Sequence, residues 1–131
     1  MPVKEHIEME ITCIPTEQAN ILTLSGRLDG RNPRILKEKI TKDLRTSNRI
    51  ILDLSSVNYI DSTGLGVLVG GLKKAMKQEG DIRLVNPSNE VRMLMELTRV
   101  DKVFLIYSNQ ETALMSYSDN TTEQPKARSS Q

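Results

Sequence analysis

The segment that decides the fold runs from Arg49 to Val69 and reads RIILDLSSVNYIDSTGLGVLV. Its first six residues, up to Leu54, form a short and almost unbroken apolar run, which is typical of a strand covered on both faces. After Gly64 the apolar residues recur at helical spacing until Gly80 closes the pattern. The segment therefore predicts a buried central strand, a junction and then an amphipathic helix.

The flanking segments extend this pattern in both directions. Two extended runs precede it and are predicted to pair as a hairpin, and four further elements follow it with alternating strand and helix patterns. The predicted elements outside the deciding segment are strands at Ile7–Cys13, Ile21–Leu28, Asp81–Val85 and Val103–Tyr107, and helices at Pro33 to about Thr46, from Pro87-Ser88 through Thr98, and at Gln110–Tyr117. This order predicts one α/β domain over residues 1–117, with a mixed, largely parallel sheet and amphipathic helices packed against it. Residues 118–131 are almost wholly polar and are predicted to form a disordered tail.

Composition excludes several classes of function. Lys and Arg total 18 against 17 for Asp and Glu, so the net charge of +1 provides no long-range field for nucleic acid or an anionic membrane. The longest apolar runs are far too short to cross a bilayer and the N-terminus lacks a signal-peptide pattern, so we expect a cytoplasmic protein. One cysteine, Cys13, and one histidine, His6, exclude an internal disulfide and a Cys/His zinc cluster. Cys13 lies on one side of an alternating pattern and is interpreted as a small core residue.

The junction before the helix carries the distinctive chemistry. Ser62 and Thr63 are predicted at or next to the helix N-cap, where unpaired backbone N–H groups favour negative charge. One interpretation is that Asp61, Ser62 and Thr63 merely cap the helix. However, Gly64 and Gly66 each cost about 1 kcal/mol of helix propensity, which indicates close approach by another backbone or by a nucleotide. Both interpretations stay open at this point.

The same junction lacks the residue patterns typical of nucleotide-binding or hydrolytic enzymes. Gly64, Gly66 and Gly70 are spaced G-x-G-x-x-x-G rather than as a dinucleotide-binding fingerprint, and no Gly-Lys-Ser/Thr motif is present. Ser62 has no histidine nearby in sequence to act as a base. Asp53 and Asp61 are conceivable as paired carboxylates, but Asp53 is better interpreted as a local hydrogen-bonding residue at an end of the sheet. We therefore expect no enzyme and no cofactor.

Three blocks of sequence carry a family resemblance. They are Leu24-Ser25-Gly26-Arg27-Leu28-Asp29, Ile51-Leu52-Asp53-Leu54-Ser55 and Tyr59-Ile60-Asp61-Ser62-Thr63-Gly64-Leu65-Gly66. In this order and spacing they resemble a STAS domain, specifically the bacterial anti-sigma factor antagonists, over about residues 7–117.

The resemblance implies a switchable binding protein. Its partner would be an anti-sigma factor that is also a serine kinase and that phosphorylates Ser62. The unphosphorylated form would bind the anti-sigma factor and release the sigma factor, and a metal-dependent serine/threonine phosphatase would restore that form. Asp29, Asp61, Thr63 and Gly64 match family positions near the partner surface.

A second hypothesis keeps the fold without the switch. In it the chain is a STAS scaffold that is never phosphorylated and serves as a subunit of a transporter or a sensory assembly. The hydroxyl of Ser62 beside Asp61 favours the switch, and phosphorylation by a kinase with ATP would discriminate the two hypotheses.

Overall fold

The computed structural model of the chain describes residues 9–118. Within that range five strands and four α-helices follow one another, with one 3₁₀ turn at Val100–Lys102. The strands are β1 Met9–Pro15, β2 Asn20–Leu28, β3 Arg49–Ile60, β4 Asp81–Val85 and β5 Ile106–Tyr107, and the helices are α1 Pro33–Asp43, α2 Ser62–Lys77, α3 Asn89–Leu97 and α4 Gln110–Ser118. The predicted α/β class is confirmed.

The strands form one mixed sheet in the order β1-β2-β3-β4-β5. β1 and β2 pair antiparallel, which confirms the predicted hairpin, and the other three pairings are parallel. β3 lies at the centre of the sheet, as its apolar run predicted. Successive side chains of a strand point to opposite faces, so β3 supplies apolar residues to both faces of the sheet.

Two apolar clusters cover the two faces. Ile50, Leu52 and Leu54 of β3 belong to the main core, where α1, α2 and α3 pack, and each is 0% exposed. Ile51 points the other way into a smaller cluster with Ala113 and Tyr117 of α4. Placing three helices on one face and one on the other explains why the start of β3 is apolar almost throughout.

Asp53 corrects one expectation about β3. It was predicted to lie at an end of the sheet, yet it is buried within β3 on the face that α4 covers, at 7% exposure. Its carboxylate accepts hydrogen bonds from the backbone N–H and the hydroxyl of Ser55 and from Nε2 of Gln110 in α4. The predicted local hydrogen-bonding role is confirmed, and the predicted position is wrong.

β3 is also twice as long as predicted, because it continues from Leu54 to Ile60. β4 pairs only with residues 49–53 of β3, so the second half of β3 pairs with β2 alone. That half contains exposed polar residues, so it lacks the apolar run from which the first half was predicted. Its pairing includes two register shifts, and Gly26 beside one of them has φ 103°, a left-handed conformation that favours glycine.

The remaining differences concern element ends. α1 ends at Asp43 rather than near Thr46, and β5 keeps only Ile106 and Tyr107 of the five predicted residues. Cys13 of β1 is half-buried against the main core, and its thiol donates to Oδ2 of Asp43 over 3.4 Å. The predicted start of the first strand at Ile7 and the predicted polar tail lie outside the described residues, apart from Ser118, which ends α4.

Candidate functional site

The candidate site is built around the N-terminus of α2. Asp61 is the N-cap of this helix, with an extended backbone, and its Oδ1 accepts a hydrogen bond from the backbone N–H of Gly64 over 3.0 Å. Ser62 and Thr63 are therefore the first two helical residues. Their predicted place at or next to the N-cap is confirmed, and among Asp61, Ser62 and Thr63 it is the Asp61 carboxylate that caps the helix.

Both hydroxyl-bearing residues are left exposed at this helix end. Ser62 and Thr63 are exposed to solvent, and no hydrogen bond holds the Ser62 hydroxyl to another residue within residues 9–118. The first turn of α2 contains no acidic residue. The positive end of the helix dipole lies at this end of α2 and favours negative charge there, although the N-cap carboxylate of Asp61 already offsets part of it.

Asp61 also fastens the preceding loop to α2. Its Oδ2 accepts from the backbone N–H of Gly30 over 3.2 Å, and its own N–H donates to the carbonyl of Leu28 over 3.3 Å. A Cβ placed on Gly30 would lie 3.5 Å from Oγ1 of Thr63. The loop of residues 29–32, which we call the β2–α1 loop, and the start of α2 therefore form one continuous surface.

Asp29 lies at the base of the β2–α1 loop and is only 4% exposed. Its Oδ1 accepts from the backbone N–H of Arg31 over 3.0 Å, and its Oδ2 accepts from Nε of Arg27 over 3.1 Å and from a terminal nitrogen of Arg31 over 3.2 Å. These donors, the backbone N–H of Arg31 foremost, hold the pKa of Asp29 below its ordinary value of 3.8. Asp29 is thus an anion held inside the loop.

The two glycines of the first α2 turns have different structural reasons. Gly64 is buried, and a Cβ there would lie 2.2 Å from the carbonyl oxygen of Leu28. The predicted close approach of another backbone is confirmed at Gly64, where the backbone is that of β2 in the same chain. At Gly66 a Cβ would meet nothing within 4 Å.

A shallow groove between α1 and α2 begins beside Thr63. It has a volume of about 260 Å³. Thr63, Gly66, Val67, Gly70, Gly71 and Lys74 line it from α2, and Lys37 and Ile40 line it from α1. The nitrogen of Lys74 donates to Oγ1 of Thr41 over 3.0 Å and links the two helices. Gly66 therefore faces an open groove.

The structure brings the predicted residues together and adds others. Asp61, Ser62, Thr63 and Gly64 are consecutive, and the loop that contains Asp29 is hydrogen-bonded to Asp61. The additional residues are Arg27, Arg31 and Tyr59: the Arg27 guanidinium lies 4.1 Å from the centroid of the Tyr59 ring. Arg27 and Tyr59 are partners in the β2–β3 register, which the two register shifts conceal from the sequence.

Two further features of the described residues bear on function. Within residues 9–118 no group of three or more His, Cys, Asp and Glu side chains is arranged to hold a metal ion. Over the same range, no helix combines the length and apolar character that crossing a membrane requires.

Comparison with known proteins identifies the class. The family model of the STAS domain matches residues 9–113. The chain therefore belongs to the STAS-domain family, and the resemblance drawn from its three sequence blocks is confirmed.

Particular relatives are named for their partners. The anti-sigma-B factor antagonist of Bacillus subtilis is 31% identical over 90 residues, which cover 69% of this chain and 83% of that protein. The anti-sigma F factor antagonist of Paenibacillus polymyxa is 28% identical over 96 residues, covering 72% and 82%.

A solved relative shares the fold. The anti-sigma factor antagonist SpoIIAA in its unphosphorylated form superposes with a TM-score of 0.71 at 21% identity, covering 81% of this chain and 94% of that chain. The Bacillus SpoIIAA in its phosphorylated form gives a TM-score of 0.65 at 20% identity, covering 80% and 96%.

Proposed function

We propose that this chain is an anti-sigma factor antagonist whose binding is switched by phosphorylation of Ser62. Unphosphorylated, it binds an anti-sigma factor that is also a serine kinase and so releases the sigma factor. Phosphorylated, it no longer binds. A serine/threonine phosphatase removes the phosphate and resets the cycle.

The observation that carries this proposal is the placement of Ser62. It is exposed at the first helical position of α2, directly after an N-cap carboxylate that ties α2 to the β2–α1 loop. A kinase can therefore reach the hydroxyl without unfolding any element. The names of the Bacillus subtilis and Paenibacillus polymyxa relatives, both anti-sigma factor antagonists, suggest the class of partner.

A phosphate on Ser62 would act mainly at the interface. It adds about 1.5 to 2 negative charges and three acceptor oxygens. The α2 dipole stabilises a negative charge at this position by about 0.3–1 kcal/mol, which offsets part of the repulsion between the phosphate and Asp61. The domain itself should therefore stay folded. A partner packed over Ser62 would have to bury that charge, which costs several kcal/mol when it is unpaired. Since about 1.4 kcal/mol corresponds to a tenfold change in Kd, this is enough to abolish useful binding.

The proposal assigns no catalysis to the chain itself. The kinase and the phosphatase supply the chemistry, and the chain supplies the modified hydroxyl and the binding surface, with no cofactor of its own. Because its target belongs to the bacterial transcription machinery, we place its action in the cytoplasm.

Phosphorylation by the partner tests the proposal. Ser62→Ala protein, which cannot be switched off at Ser62, is used to capture the kinase from cell extract, and the purified kinase is then incubated with ATP and the wild-type chain. We expect one phosphate, found on Ser62 by phosphopeptide mapping, and loss of kinase binding in the modified protein.

Thr63→Ala is the matched control because Thr63 is the neighbouring exposed hydroxyl. This variant should still gain its phosphate on Ser62. A phosphate found only on Thr63, or a Ser62→Ala protein modified to full extent, would contradict the assignment. Failure of any kinase to bind or modify the wild-type chain would instead favour the unphosphorylated scaffold.

A further inference from the structure

The buried state of Asp29 changes what the β2–α1 loop can offer a partner. The family resemblance places Asp29 near the partner surface, which would make it an acidic contact. In the structure the residue is only 4% exposed, and both of its carboxylate oxygens already accept hydrogen bonds from Arg27 and Arg31. A basic group of a partner would have to displace these donors before it could reach the carboxylate.

The exposed groups around Asp29 are cationic. The side chain of Arg31 is 56% exposed and that of Arg27 is 41% exposed, whereas the Asp29 side chain between them is 5% exposed. Arg27 is also held on its other side by the ring of Tyr59, which is itself 41% exposed. Asp29 therefore fixes two guanidinium groups that face outward.

Fixing these side chains favours binding of an acidic group. A free arginine loses much rotamer entropy when it is held in one geometry, and ordering it in advance lowers the cost of association. Guanidinium groups recognise carboxylates through paired N–H donors. Arg34 follows in the first turn of α1, a turn without an acidic residue, so the surroundings are positive as well.

The position of the loop ties this surface to the switch. The backbone N–H of Gly30 donates to Asp61, the residue before Ser62, and Gly30 lies against Thr63. A partner that covers the hydroxyl of Ser62 would therefore have the β2–α1 loop and its arginines at the edge of the same contact.

We propose that Arg31, together with the Arg27–Tyr59 stack, contacts a cluster of Asp and Glu side chains on the anti-sigma factor, and that Asp29 is a positioning residue that acts through Arg31. This rests on the proposed function, in which an anti-sigma kinase covers Ser62. It reverses the sign of the contact at this loop, because the partner is required to be acidic here rather than basic.

A double-mutant cycle tests the proposal with the purified anti-sigma kinase that modifies Ser62. Isothermal titration calorimetry should show Arg31→Ala binding at least ~10-fold more weakly than wild type, as expected for loss of a charge-assisted contact. Asp29→Asn should weaken binding by a smaller factor on its own. In the Arg31→Ala background, Asp29→Asn should change Kd by less than about twofold, because the residue through which it acts is gone.

Salt and a matched arginine provide the controls. Raising NaCl should weaken the wild-type complex more than the Arg31→Ala complex, since an exposed cation contact is screened. Arg45→Ala removes an exposed arginine just beyond the far end of α1 and should leave Kd unchanged. Thermal melts of every variant confirm that it is folded.

The outcomes separate the two proposals. A full effect of Asp29→Asn in the Arg31→Ala background would show that Asp29 itself touches the partner and would overturn the positioning role. Arg31→Ala protein that binds as well as wild type, while Ser62 is still phosphorylated, overturns this inference and leaves the proposed function standing. If no kinase binds the wild-type chain, the proposed function fails and this inference fails with it.

Discussion

Gly64 and Gly66 lie two positions apart at the start of α2, and replacing each by alanine should change stability in opposite directions. In both variants the intrinsic helix propensity of alanine favours the folded helix by about 1 kcal/mol relative to glycine. At Gly66 nothing lies within 4 Å of the new methyl group. Gly66→Ala should therefore stabilise the domain by about 0.5–1 kcal/mol.

At Gly64 the same methyl group meets the end of β2. It would lie 2.2 Å from the Leu28 carbonyl oxygen and 2.9 Å from Cγ1 of Ile60. The helix must retreat by roughly 1 Å to reach van der Waals distance. Such overpacking costs about 1–3 kcal/mol. The retreat also strains the hydrogen bond from Asp61 N–H to Leu28, worth about 1 kcal/mol. After the propensity gain, Gly64→Ala should destabilise the domain by about 1–3 kcal/mol.

Urea unfolding of the two variants beside wild type measures both effects. The free energy of unfolding falls by about 1–3 kcal/mol per molar urea. The urea midpoints of the two variants should therefore differ by roughly 1 M, with the Gly66→Ala midpoint above that of wild type and the Gly64→Ala midpoint below it. Equal midpoints, or two shifts of the same sign, would refute the assignment of Gly64 to close packing against Leu28.

Three further predictions follow from single contacts. Tyr117→Phe removes the buried hydroxyl that bonds the carbonyls of Ile50 and Asp81 over 3.0 and 2.7 Å; it should cost about 1–3 kcal/mol in urea unfolding, with the exposed Tyr59→Phe as a near-neutral control. Burial, and secondarily the hydrogen bond to Asp43, raises the pKa of the Cys13 thiol; the native protein should thus react with Ellman's reagent at pH 7 at least tenfold more slowly than the urea-unfolded chain, and equal rates would contradict this. The folded state lowers the pKa of Asp29 below 3.8, so the ionised carboxylate stabilises the fold above that pH, and this stabilisation is lost as the pH falls through the folded pKa. Wild type should therefore have a larger free energy of unfolding than Asp29→Asn at pH 6. A difference in unfolding free energy that does not narrow at pH 3 would argue against an ionised, hydrogen-bonded Asp29.

The sequence predicted those parts of the fold whose burial is periodic. The hairpin, the apolar half of β3 and α2 were all predicted from their apolar residues. A buried face repeats apolar residues every second position in a strand and every third or fourth position in a helix. The second half of β3 was missed because β4 stops short of it. Ser55, Ser56 and Asn58 are therefore exposed strand residues, and an exposed polar strand resembles a loop.

The candidate site shows the same division. Ser62 and its place at a helix start were predicted, because the sequence contains both the helix pattern and the residues before it. The burial of Asp29 was not, since an aspartate among Gly, Arg, Asn and Pro resembles an exposed loop residue. Only the folding back of Arg27 and Arg31 onto it, which depends on loop geometry, makes this carboxylate an internal anchor.

The order of the strands in the sheet bears on how the protein is made. Spatial order follows chain order from β1 to β5, so every strand joins a neighbour that has already been synthesised. A ribosome adds about 5–20 residues per second, which is slow compared with the microseconds in which a hairpin forms. The β1–β2 hairpin can therefore form first and be extended by one strand at a time as the nascent chain emerges. None of the strands β1 to β5 within residues 9–118 has to wait for a partner encoded two or more strands downstream, so the period during which a sheet edge is exposed to other nascent chains is correspondingly short.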